Sequence, residues 1–149
     1  MKIYLAGTEQ TELEFVERGT IDNALLSFYY LKDQGHNRMP LMREKCKSIF
    51  VDSGAHSFFS EDEEMKTAST HKKKTKTKET PDEFFSKFVA WLKVNIEYLD
   101  YYAELDIGEL VGQKKVMKWR DILKKEGLYH KCVPVYHPKV MTLDDFDKM

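Results

Sequence analysis

Three apolar runs, rich in β-branched or aromatic residues, each end on a polar side chain of catalytic type. They are Ile49-Phe50-Val51-Asp52, Tyr101-Tyr102-Ala103-Glu104-Leu105-Asp106 and Cys132-Val133-Pro134-Val135-Tyr136-His137. Segments of helical period fill the gaps between them. Short apolar runs alternating with helices predict a parallel sheet built from βα units. In such proteins the chemistry gathers at the C-terminal ends of the strands, which is where these acids and the histidine stand.

Two further strands complete the pattern. Residues 3–7 (IYLAG) read as a buried first strand stopped by Gly7. The run Ala24 to Leu31 is too short to reveal its period, but its aromatic pair and the surrounding βα rhythm favour a strand. Leu13 to Gly19 and Leu41 to Lys47 read as short helices, and Gln34 to Pro40 as a loop by its breakers. A longer helix opens on Thr80 at the cap, Pro81 at the first helical position and Glu83 completing a capping box. Phe84, Phe85, Phe88, Val89, Leu92, Ile96 and Leu99 follow at helical spacing, giving a broad apolar face to cover the sheet. A second amphipathic helix runs from about Gln113 to Glu126. Val116, Trp119, Ile122 and Leu123 form its inner face, and Gly127 is its C-cap. Thr142-Leu143-Asp144-Asp145-Phe146 begins another helix.

These elements predict one α/β domain over residues 1–149, with five strands in βα repeats. No GxGxxG or P-loop glycine pattern follows any strand, so the main sign of a nucleotide-binding Rossmann domain is missing. A (β/α) barrel of TIM type fits better. Since a typical one needs about 250 residues, the chain corresponds to an incomplete barrel, its N-terminal half to five-eighths, and a truncated domain is expected. From Ser60 to Thr80 nothing is periodic, which predicts a flexible charged loop.

With 42% hydrophobic residues the chain can bury one ordinary core. No apolar run approaches the ~20 residues of a membrane helix, and the first residues turn polar too soon for a signal peptide. The two cysteines, Cys46 and Cys132, match neither a CxxC redox pair nor a zinc knuckle, so a reducing cytoplasm is the expected setting. A net charge of −1 sets up no global field for nucleic acid. Locally, the acidic block Glu61-Asp62-Glu63-Glu64 precedes a basic one with Lys72, Lys73, Lys74, Lys76 and Lys78. Either the blocks form a self-neutralising solvated loop, or the lysines are an arm that neutralises phosphates.

Asp52 precedes Ser53-Gly54, so it either caps that turn through an Asx bond or projects as a site carboxylate, with the turn's N–H groups meeting an anion or a base edge. Asp106 either caps the turn at Gly108 or projects as a second site carboxylate able to accept two hydrogen bonds. Glu104 either supports a pocket there or pairs with a Lys from a neighbouring unit. His137, between Tyr136 and Pro138, is either a packing residue or a ligand contact. Tyr29, Tyr30 and Tyr136 are core aromatics or stacking platforms. His36, His71 and His130 lie in polar loops and take no role. Asp52, His56, Asp106 and His137 together also suit a divalent metal and hydrolysis, but no HxH or HExxH spacing fixes two ligands, and no metal site is assigned.

Asp52-Ser53-Gly54-Ala55 resembles the Asp-Ser-Gly-Gly-Phe motif of the tRNA-guanine transglycosylase family. The order of segments is most similar to the divergent, phage-associated branch that inserts 7-deazaguanine derivatives into DNA. That order is a Tyr-Leu-Ala-Gly start, an Asp-Ser-Gly block, a Thr-Pro helix, Glu-Leu-Asp, and Pro-Val-aromatic-His. Short motifs match, in order, over most of the chain. The resemblance implies a TIM-type barrel and base exchange on tRNA or DNA, in the host cytoplasm if phage-encoded. Asp52 would then be the essential carboxylate and Asp106 the base reader, with Ser53, Gly54, His56 and His137 around the base. Ala55 replaces the motif's second glycine, and His56 its aromatic residue. The family's nucleophilic Asp on a later strand and its C-terminal Cys/His zinc site have no counterpart in these residues. The resemblance therefore implies no cofactor within this chain, a nucleic acid and a 7-deazapurine as partners, no membrane, and room for a second chain completing the barrel. A non-catalytic half-barrel that pairs with such a chain is the alternative reading.

Overall fold

Alternate strand residues differ sharply in burial, and this divides the sheet into two unlike faces. The computed structural model describes residues 1–7, 18–19, 21–35, 37–55, 79–136 and 142. Its strands are β1 (Leu5–Ala6), β2 (Asn23–Ser27), β3 (Ser48–Asp52), β4 (Tyr101–Ala103) and β5 (Cys132–Val133). They form one all-parallel sheet in the order β1-β2-β3-β4-β5. The helices are α1 (Phe28–Leu31), α2 (Met39–Lys45), α3 (Pro81–Asn95), α4 (Gly108–Val111) and α5 (Gln113–Lys125), with 3-10 turns at Ile96–Tyr98 and Tyr129–Lys131. Chain order equals spatial order, so every described crossover steps to the next strand without reversal.

Ala24, Leu26, Ile49, Val51 and Tyr102 point to the helix-covered face and are essentially inaccessible to solvent. The residues between them, Leu25, Phe50 and Ala103, are only half-buried, and Tyr101 is 49% exposed. α3 supplies the cover. Its Phe84 and Phe88 rings lie 5.3 and 4.8 Å from Phe28, and Phe88 meets Tyr102 edge-on at 5.7 Å. Phe85 stacks on Trp119 of α5 at 4.7 Å, joining the two long helices. The capping box at the start of α3 is complete: Glu83 N–H donates to Thr80 Oγ1, and Thr80 N–H donates to Glu83 Oε2. At the N-terminal end of the sheet, Asp100 Oδ2 accepts from Ile49 N–H and from Arg43 at 2.7 and 2.9 Å. Burial alone would raise the Asp100 carboxyl, but these donors hold it below its usual value.

Several expectations need correction. All five strands exist; β3 spans Ser48–Asp52, and the other four are shorter than their apolar runs. The run 24–31 is a strand only as far as Ser27, because Phe28 and Leu31, one helical turn apart, both enter the core while Tyr30 faces solvent. β1 is a two-residue exposed edge rather than a buried strand. The strand read at 132–136 ends at Val133, because Pro134 has no N–H to continue the ladder. The short helix after Arg38 starts at Met39, two residues earlier than expected, and α4 was not foreseen. Ile122 is 42% exposed and is not part of the inner face of α5; Arg120 is buried in that face instead. Gly127 does end that helix, with φ of 72°. The expected helices at 13–19 and after 142 and the loop at 60–80 lie largely outside the described residues. Among the described residues no helix is long and apolar enough to cross a membrane.

Replacing Thr80 with Ala removes the oxygen that caps Glu83 N–H, and is expected to lower stability by about 0.5–2 kcal/mol. Urea denaturation should show this as a lower midpoint at unchanged slope.

Candidate functional site

Asp52 is the last residue of β3, and its side chain belongs to the less covered face because its neighbour Val51 is fully buried on the other. In β2, Ser27 stands directly beside it in register. The chain then turns sharply. Gly54 has φ of 76°, and a Cβ built on it would lie 2.4 Å from Tyr29 Cβ, 2.8 Å from Tyr29 N and 3.0 Å from Ser27 Oγ. Only glycine fits both that dihedral and that contact. The Asp52-Ser53-Gly54 turn is therefore pressed against the end of β2.

Gly54 N–H donates to Asp52 Oδ2 at 2.9 Å, an Asx bond that sets the carboxylate's orientation. This N–H is thus engaged by the chain's own aspartate, the turn-capping arrangement expected as one alternative for Asp52. A carboxylate carries two oxygens, so the Asx bond through Oδ2 does not consume Asp52's capacity as an acceptor. Ser53 is fully buried, and its Oγ has no hydrogen-bond partner among the described residues.

Asp106 follows β4 by three residues and is half-buried. Ile107, not Asp106, occupies the cap position of α4. β3 and β4 are adjacent and parallel, so Asp52 and Asp106 stand at the same, C-terminal edge of the sheet. His56, His137 and Lys72, Lys73, Lys74, Lys76 and Lys78 lie outside the described residues. Among the described residues no group of three or more His, Cys, Asp or Glu is placed to hold a metal ion.

Glu104 resolves in favour of pairing, with an arginine in place of the expected lysine. It turns to the helix side and meets Arg120 of α5 in a two-pronged contact, Nε to Oε2 at 2.6 Å and Nη2 to Oε1 at 2.5 Å. Its Oε1 also accepts Val135 N–H at 2.7 Å, while its own N–H donates to Val133 O at 3.1 Å. One residue thereby carries the β4–β5 pairing past Pro134, first by backbone and then by side chain. Burial alone would lower the Arg120 pKa, but the facing carboxylate holds it above its usual value. Arg120 was missed in the sequence although it left a signal there. It lies four residues after Val116 and three before Leu123, a core position for a helix, and implies a buried acid opposite.

Cys132 sits beside Tyr102 and Glu104, and burial, followed by the Glu104 charge, pushes its thiol up to about 12. Burial also raises Cys46. The nearby cations, Arg43 for Cys46 and Arg120 for Cys132, do not offset burial at either thiol, so neither is activated as a reactive cysteine would be.

No protein-family model, curated protein or solved structure matches this chain.

Arg120→Met leaves Glu104 buried without its counter-charge and should cost about 3–5 kcal/mol, whereas Glu104→Met with Arg120→Met should recover only part of that loss, because Val135 N–H then loses its acceptor. Denaturant curves of the three proteins measure this coupling. For Cys132 the folded thiol ionises near 12 and the unfolded one near 8.5. Its contribution to stability is therefore full below about pH 8.5 and falls as pH rises towards 12. Thiol labelling at pH 8 is expected to be slow in the folded protein and complete in urea.

Proposed function

We propose that this chain takes part in base exchange on tRNA or DNA, replacing guanine with a 7-deazaguanine derivative, on a (β/α) barrel of TIM type. The observation that carries the reading is the pair Asp52 and Asp106 on one edge of two adjacent parallel strands, with Asp52 oriented by its glycine turn. The strand order supports a barrel. A doubly wound sheet reverses direction at a switch point where its ligand binds, and the described strands run on without reversal.

Breaking an N-glycosidic bond develops positive charge on the sugar. A carboxylate held like Asp52 stabilises that charge or moves the proton on the departing base, which is worth about 10²–10⁴-fold in rate. Asp106 accepts two donors from the guanine edge. The target base has to be unpaired or flipped out of its stack to reach either residue. His56 and His137 are proposed contacts around the base, and the lysines between Lys72 and Lys78 are proposed phosphate contacts.

A second reading draws on the sheet face itself. Tyr101 and Val133 are 49% and 38% exposed there, and parallel sheets are normally covered on both faces. A non-catalytic half-barrel would close that face with another chain. Sedimentation of the purified protein, alone and with nucleic acid, separates a paired species from a monomer.

Base recognition is tested by titrating the protein with guanine and 7-deazaguanine in a calorimeter. Losing a buried acceptor costs about 1–3 kcal/mol, so Asp106→Asn should weaken binding by roughly 5- to 150-fold. Equal affinity of wild type and Asp106→Asn would overturn the assignment of Asp106.

A further inference from the structure

The helix layer contains a cleft that takes no part in the candidate site. It lies between the segment from Leu31 to Met39 and the end of α3, and its volume is about 190 Å³. Leu31, Met39 and the ring of Trp91 form its apolar wall, the first two only 8% and 1% exposed. A dry apolar cavity of about 150 Å³ holds one benzene ring, so this space suits a single ring with one substituent.

The polar part of the lining is already ordered. Asn95 stands three residues after Leu92 and four before Leu99, in the apolar stripe that runs down α3, and is 2% exposed. Its Oδ1 accepts from Asn37 Nδ2 at 2.7 Å, and its Nδ2 donates to Trp91 O at 2.9 Å. Asn37 is fixed in turn, because its Oδ1 accepts from Met39 N–H at 3.0 Å. A primary amide has two N–H donors. Among the described residues each of these two amides gives one donor to the protein. The remaining N–H of each can meet an acceptor in the cleft, and at Asn95 burial makes an unmet donor costly. Two cations and no acid line the cleft. Lys32 is committed elsewhere, paired with Glu79 at 2.6 Å and held over the rings of Tyr29 and Phe84. Arg38 is therefore the positive group that serves this lining, and its planar fork of donors matches a carboxylate.

We infer that this cleft is a binding site for a small, single-ring aromatic carboxylate. The ring lies against Trp91, Leu31 and Met39, and the carboxylate oxygens accept from Arg38 and from the amides of Asn37 and Asn95. A carboxylate fits because its two oxygens take several donors at once, and an acid-free lining adds no like-charge repulsion. The amide chain is in place before a ligand arrives, so binding carries little ordering cost. The site is separate from the strand-end acids and stands whether or not the base-exchange reading does.

The test titrates the full 149-residue chain with benzoate and with benzyl alcohol. The readout is the NMR signals of the Trp91 indole and of the Asn37 and Asn95 side-chain amides. Benzoate should shift these signals saturably, with a Kd of about 1 mM or tighter. Benzyl alcohol, which keeps the ring and lacks the charge, should bind about tenfold more weakly. Arg38→Gln should weaken benzoate by about tenfold and leave benzyl alcohol unchanged. Val94 lines the cleft and is 67% exposed, so Val94→Trp should fold normally and weaken both ligands by filling the space. Urea midpoints report folding. Should Arg38→Gln fail to fold, the two ligands on wild type and on Val94→Trp carry the same prediction. No saturable shift of these signals well above the expected Kd overturns the site. Equal affinity for the two ligands, or benzoate binding to folded Arg38→Gln as tightly as to wild type, overturns the carboxylate assignment and the proposal with it.

Discussion

Everything at the candidate site rests on one sheet face being buried under α3. Phe84, Phe88 and Leu92 of that helix are completely inaccessible and press on Phe28, Tyr102 and the inward strand residues. Each such side chain is worth about 1.5–3 kcal/mol of burial, and together they hold the strands in a fixed order. The helix starts at a complete capping box and ends near Asn95, whose amide bonds to Asn37 and to Trp91 O. Because one face is committed to this packing, the alternation of side chains sends every second strand residue to the other face. Asp52, Ser27 and Ala103 are there for that reason alone.

The buried pair Glu104 and Arg120 solves a different problem. Pro134 interrupts the ladder between β4 and β5, and a half-buried backbone N–H left without a partner would be costly. The Glu104 carboxylate takes the Val135 N–H, and Arg120 neutralises the charge this brings into the interior. A buried ion pair is seldom a source of net stability. Here it ties the last described turn of chain to α5 and holds the segment leading from β5 against the end of β4.

The pattern of acids in the sequence overstated how alike they are. Asp52, Asp100, Glu104 and Asp106 all stand at strand ends, yet they have different work. Asp100 sits at the N-terminal edge and satisfies Ile49 N–H and Arg43. Glu104 faces the helices. Asp52 and Asp106 stand together at the C-terminal edge. Residue type and spacing do not separate these cases, since an acid next to a strand reads the same whether it bonds to backbone, pairs with an arginine or faces a cavity.

From the residues alone, the number of strands, the parallel βα plan, the start of α3 and the end of α5 were legible. Each of these depends on local rules of period, capping and chain reversal. What the residues left open was decided by contacts between segments distant in sequence. Phe28 to Leu31 became a helical turn because Phe84, Phe88 and Trp91 provide a site for Phe28. Arg120 took a core position because Glu104 lies opposite, and Ile122 was displaced to the surface. Gly54 was marked as a turn residue, but its need for glycine comes also from Tyr29 and Ser27 pressing on it. The sequence by itself determined the five strand positions and the two long helices, because period and capping are settled within a few residues of each position. The tertiary structure decided which side chains share the open face, because register and burial are set only when the strands pair and one face is covered.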